Sequence, residues 1–216
     1  MLTSQYLPRK LIVSASSSII QGIDAMRKRG LVTLAFFYHD FREDQKEDLR
    51  GLLSSVLFQL CEQSDSYCDI LSDFYITHRH GAQNPSDDAL VNCFQEILNL
   101  PGQAPIFLIL DALDECSSAF SMPSPRENAL VLMKQLIESK LPNLRICVTS
   151  RPEADIKVVL EPLTFRSISL HDERGQMEDI ESYIKLVVNM DTRNRRWTAE
   201  DKQLVIDVLT RYADGM

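Results

Sequence analysis

Three carboxylates, Asp111, Asp114 and Glu115, fall within five residues directly after the apolar run Ile106 to Leu110. An apolar strand that ends in aspartate delivers a carboxylate to the carboxyl edge of a sheet. There it can hold Mg²⁺ through water, because magnesium keeps much of its hydration shell and prefers oxygen ligands. Asp111 is therefore the candidate metal residue. Asp114 and Glu115 follow three and four positions on, in the turn, and are the candidate catalytic pair. A carboxylate so placed can orient water for attack on a terminal phosphate. Ala112 between them is small enough for a sharp turn. The bland alternative is an acidic turn that caps the next element. Like charges this close repel, and a bound cation is the natural relief.

A second group follows the run Arg145 to Thr149, in Ser150-Arg151-Pro152. If this strand neighbours the first, Arg151 reaches the same edge as Asp111. A guanidinium there can contact a γ-phosphate and report its presence. Arg151, with Ser150 beside it, is the candidate cofactor-binding pair. The bland alternative is a helix-capping serine next to a surface arginine.

These residues need a sheet to carry them, and the periodicity supplies one. Leu31 to Tyr38, Ile106 to Leu110, Arg145 to Thr149 and Phe165 to Leu170 read as four strands. Amphipathic helices are predicted between and after them: Ser16 to Arg29, stopped by Gly30, Asp48 to Gln63, Asp87 to Leu98, a helix from Ser124 to about Ser139, Ala154 to Leu160, Met177 to Val188 and Thr198 to Tyr212. Ser124-Pro125-Arg126-Glu127 is a capping box with proline at the first helical position. Strands that alternate with helices argue for a parallel sheet with helices on both faces, whose chemistry lies past the carboxyl ends of the strands.

Composition narrows the function. The chain has 216 residues, 44% hydrophobic and 25% charged, as an ordinary globular protein has. A net charge of −8 argues against non-specific binding of nucleic acid or an anionic membrane. Arg193, Arg195 and Arg196 form the tightest basic group and read as a solvated loop. Five cysteines without a C-x-x-C pair argue against a disulfide scaffold or zinc site and for a reducing compartment. Neither a signal peptide nor an apolar run of about 20 residues is evident, so a cytoplasmic location is expected.

The motifs also resemble a known family. IFLILDALDEC is similar to the Walker B motif of NACHT domains, and RICVTSRPE to their sensor 1 strand with its arginine. Together with LAFFYHDF and LRGLLSSVLFQLC, they resemble fungal NACHT and nephrocystin-3-like N-terminal domains from about Ser14 to Met216. The resemblance implies a three-layer α/β P-loop NTPase core of the STAND class and a signalling switch driven by ATP or GTP with magnesium. It implies a core over residues 14–190, the start of a following helical region over 191–216, and protein partners or self-association through flanking effector and repeat domains.

The departure lies at the N-terminus. Family members begin with a strand and G-x-x-x-x-G-K-[ST], whereas Gln5 to Val13 holds no glycine before Lys10, and Leu11 follows it. Residues 1–13 are expected to be an irregular segment in place of the phosphate loop, which would make the fold N-terminally incomplete. Lys10 is the one candidate for a substitute lysine. Ser14, Ser16, Ser17 and Ser18 read as the start of the first helix. Two alternatives to an impaired switch stand open: a degenerate, non-catalytic interaction module, and a truncated product without independent function.

Overall fold

The computed structural model describes residues 7–40, 48–117, 123–168, 176–190 and 196–213, with side chains outside 7–15, 176–179 and 213. It is an α/β structure built on three parallel strands, β1 (Thr33–Tyr38), β2 (Ile106–Asp111) and β3 (Leu144–Val148), in the order β1-β2-β3. Tyr38 pairs with Asp111, and Leu110 with Val148, so all three strands end at one edge. The helices among the described residues are α1 (Leu7–Arg27), α2 (Leu49–Cys61), α3 (Asp65–Thr77), α4 (Asp87–Leu98), α5 (Pro125–Glu138), α6 (Ala154–Leu160), α7 (Gln176–Met190) and α8 (Ala199–Ala213). None is long and apolar enough to cross a membrane.

Strand alternation divides the sheet into two faces. Ala35, Phe37, Ile106, Leu108, Leu110 and Leu144 join the main core with α2, α4 and α5. Leu52, Leu53, Val56, Leu57 and Leu60 line the buried side of α2. Phe94, fully buried, does the same for α4. Burying each such side chain contributes about 1.5–3 kcal/mol, which makes this face the main source of stability. The opposite face carries Leu34, Phe36 and Tyr38, then Ile109 and Asp111, then Cys147. Helix α1 packs over its β1 and β2 portion. Asp111 therefore projects toward α1 and away from the larger core.

The two outer edges of the sheet differ. Beside β1, Gln63 of the segment after α2 accepts from the Leu34 amide at 3.0 Å and donates to its carbonyl at 2.7 Å. Gln59 does the same for Phe36, at 3.0 and 2.8 Å. Two amides one helical turn apart thus stand in for a neighbouring strand, and close an edge that would otherwise offer a template for pairing. Beside β3, no strand pairs with the outer side among the described residues.

Two expectations need correction. Phe165 to Leu170 is not a strand where it is described: residues 165–168 carry no regular structure, and Phe165 is fully exposed. A short alternating run forms a strand only with a partner ladder, and the ladders among the described residues join β1, β2 and β3. Residues 169–170 lie outside the described residues. The first helix begins at Leu7 and not at Ser16, so the serines occupy its middle. Its end is as expected: Gly30, at φ +70°, donates to the Arg27 carbonyl at 2.8 Å, and Leu31 to that of Met26 at 3.2 Å, which satisfies the last turn.

By packing, the chain forms two compact units, Met1–Thr164 and Phe165–Met216. In the second, α7 buries Ile180, Ile184 and Val188 at four-residue spacing and packs on α8, where Ile206 is buried.

Candidate functional site

Five apolar residues of β2 carry the chain to Asp111, which stays 2% exposed at the carboxyl end of the middle strand. Two hydroxyls converge on its Oδ1: Ser16 donates from α1, and Thr149 from the residue after β3. The Thr149 hydroxyl also accepts from the Ala112 amide at 3.1 Å. A buried carboxylate is costly unless hydrogen-bonded, and this pair supplies the bonds. Tyr38, opposite Asp111 in the register, feels the charge. Burial first, and then the Asp111 carboxylate, push its hydroxyl above the ordinary tyrosine value, while a hydrogen bond with Ser17 pulls it back. The Cys147 thiol on the same face is raised by burial and then by Asp111.

After Asp111 the chain turns on Ala112, which sits in the left-handed region at φ 55°, ψ 48°. That conformation costs a residue with a Cβ about 1–2 kcal/mol. The surroundings hold it: Leu113 donates to the Thr149 carbonyl at 3.0 Å, and Glu115 to that of Ala112 at 2.8 Å. The small residue expected at this turn is thus there for a sharp reversal. It swings Asp114 beneath the end of β3, where its Oδ1 accepts from the Arg151 amide at 3.0 Å and its Oδ2 lies 3.3 Å from the Arg151 Nε. The Asp114 side chain is 9% exposed and that of Arg151 49%. Asp111, Asp114 and Arg151 therefore share one edge, as neighbouring strands require. Glu115 closes the short 3₁₀ turn Leu113–Glu115. The Ser150 hydroxyl donates to the Arg151 carbonyl at 2.7 Å.

Arg126 escaped the sequence reading as a site residue. It lies in the first turn of α5, whose capping box forms as expected between Ser124 and Glu127. Its guanidinium reaches back under the acidic turn, donating to the Asp114 carbonyl at 2.5 Å and the Cys116 carbonyl at 3.0 Å. It also pairs with Asp155 of α6 at 3.2 Å. Ser16 and Thr149 were likewise missed as partners of Asp111. Both bonds span more than ninety or more than thirty residues of sequence, and a hydroxyl carries no signal of such a distant partner.

Oxygen donors on a strand end suit a magnesium ion. No group of three or more metal-ligating side chains gathers among the described residues. A magnesium ion here would therefore rely on Asp111, water and phosphate oxygens, its usual habit. The phosphate side fits less well. Helix α1 runs unbroken from Leu7 to Arg27, so the amides of its interior are committed to its own carbonyls. The backbone nest that cradles a phosphate needs free amides and glycine conformations. Lys10 lies on this helix, and its side chain is outside the described residues.

The class this geometry defines is an α/β protein with a parallel three-stranded sheet and an acidic carboxyl edge, compatible with a P-loop NTPase-like fold. The chain belongs to the nephrocystin 3, N-terminal family, whose model matches residues 14–151 and so takes in β1, β2, the acidic turn, β3 and Arg151. No curated protein and no solved structure matches it.

Proposed function

We propose that the chain is a NACHT-type nucleotide-switch module, its core spanning residues 14–190, that keeps the metal and water side of the site and has a weak phosphate side. The observation that carries this is Asp111, buried at the end of the central strand and bonded to hydroxyls from α1 and from the end of β3. In this reading Asp111 holds the magnesium of ATP or GTP through water. Asp114 and Glu115 orient the attacking water, and Arg151, with Ser150 beside it, reads the γ-phosphate. The Asp114–Arg151 pair adds a coupling: a γ-phosphate that draws Arg151 away leaves the Asp114 carboxylate free to take up water. Flanking effector and repeat domains would supply protein partners and self-association.

A phosphate nest and its lysine contribute several charge-assisted hydrogen bonds, each worth about 1.5–3 kcal/mol. Micromolar binding amounts to about 8 kcal/mol in total. A chain that lacks the nest should accordingly bind Mg-ATP and Mg-GTP with a Kd in the millimolar range or weaker. Calorimetric titration checks this. Low-micromolar binding would contradict it and point to Lys10 as a substitute lysine.

A second reading is favoured by one observation. The Asp114–Arg151 pair and the two hydroxyls on Asp111 satisfy the acidic edge from within the protein. A non-catalytic interaction module that kept the scaffold would look the same, and would show no nucleotide response at any concentration.

A further inference from the structure

Outside the acidic edge, two cysteines meet on the surface of the helical layer. Cys61 is the last residue of α2, and Cys68 lies in the first half of α3, beyond a connection of only Glu62, Gln63 and Ser64. Their sulfur atoms stand 2.7 Å apart as free thiols, Cys68 exposed and Cys61 half-buried. This approach is closer than an ordinary contact of two sulfur atoms, and a disulfide needs only about 2.05 Å. The surroundings hold the pair in place. Gln63 is fastened to β1 on one side of the connection, and on the other the Tyr67 hydroxyl donates to Gln103 at 2.7 Å. The Tyr67 and Cys68 amides both donate to the Ser64 carbonyl at 3.1 Å, which sets the first turn of α3.

We propose that Cys61 and Cys68 form an oxidant-sensitive dithiol that closes to a disulfide between α2 and α3 and reopens with thiol reductants. With a peroxide as oxidant, the exposed Cys68 reacts first, its sulfur attacking one peroxide oxygen. Its sulfur takes one oxygen as the O–O bond breaks, giving a sulfenic acid and water. The Cys61 sulfur then attacks the Cys68 sulfur. The S–S bond forms, hydroxide leaves, and the Cys61 proton converts it to a second water, so two thiols and one peroxide give one disulfide and two waters. Burial, and then the neighbouring Cys68 thiol, push the Cys61 thiol up to about 11, so Cys61 stays protonated near neutral pH and the exposed Cys68 meets the oxidant first. Proximity makes the closing step intramolecular. In a reducing compartment such a pair is a reversible sensor and not a permanent staple.

The test is stoichiometric hydrogen peroxide on the whole chain, followed by thiol counting and peptide mass mapping. Two of the five thiols should disappear, the Cys61 and Cys68 peptides should be joined with the loss of two hydrogens, and dithiothreitol should restore both. Cys68→Ser, a change at an exposed position, should keep its four remaining thiols under the same treatment. Cys61→Ser should leave Cys68 as a sulfenic acid that dimedone captures. A wild-type chain that pairs other cysteines, forms intermolecular bridges, or keeps all five thiols would overturn the proposal.

Discussion

Grafting a strand and a G-x-x-x-x-G-K-S segment ahead of Ser14, in place of the first turns of α1, is expected to bring Mg-ATP or Mg-GTP binding from millimolar to micromolar, about a thousandfold. The sheet says where the strand goes. The outer edge of β1 is closed by Gln59 and Gln63, whereas the outer side of β3 carries no ladder among the described residues. A parallel strand added there pairs with β3, and its loop emerges beside Thr149 and Asp111. The phosphates then gain backbone donors and a lysine, and the metal residue is already placed. In the grafted protein Asp111→Ala should abolish the magnesium dependence. Arg151→Ala should weaken triphosphate binding about tenfold more than diphosphate binding, because only the triphosphate has γ oxygens. Calorimetry reads all three, with circular dichroism as the check of folding. A folded graft that ignores nucleotide would contradict the placement of the site, and equal losses for both nucleotides would make Arg151 structural.

Arg126→Ala is expected to cost about 3 kcal/mol of stability. The guanidinium bonds two main-chain carbonyls of the acidic turn, and bonds made by a charged group are worth about 1.5–3 kcal/mol each. Its side chain is only 11% exposed, so water replaces those bonds poorly. The melting temperature should fall by roughly 6–12 °C for a chain of this size. Arg126→Lys should recover little, since one ammonium cannot span both carbonyls as the planar fork does. Asp155→Asn should change stability by under about 1 kcal/mol, because that partner is half-exposed. Urea unfolding measures each. An Arg126→Ala midpoint equal to wild type would show that the turn holds itself through Ala112 and Thr149.

What the sequence revealed follows from how local each signal is. The three strands were visible as short apolar runs, and the Ser124 capping box and Asp87–Leu98 appear as read, because their causes lie within a few residues. The shared edge of Asp111 and Arg151 needed only the assumption that their strands are neighbours. Helix α3 went unread: Tyr67, Ile70, Leu71 and Phe74 have helical spacing, but Ser66, Asp69, Ser72 and Asp73 dilute it. The N-terminal half of α1 was hidden by Pro8, which reads as a breaker and is tolerated in a first helical turn. The Gln59 and Gln63 clamp, the Ser16 and Thr149 hydroxyls and the reach of Arg126 all depend on tertiary neighbours, and glutamine, serine and arginine are too common on surfaces to announce such roles.

Whether a metal nucleotide sits at the carboxyl ends of β2 and β3 is read most directly by NMR of the unmodified chain with millimolar Mn-ATP. Paramagnetic broadening acts at short range and needs only weak occupancy. The amides of Ser16, Ala112, Asp114, Thr149 and Arg151 should broaden first, and Asp111→Ala should remove the effect. Broadening spread over the acidic surface, or none at those amides while the variant behaves as wild type, would contradict a nucleotide site at this edge.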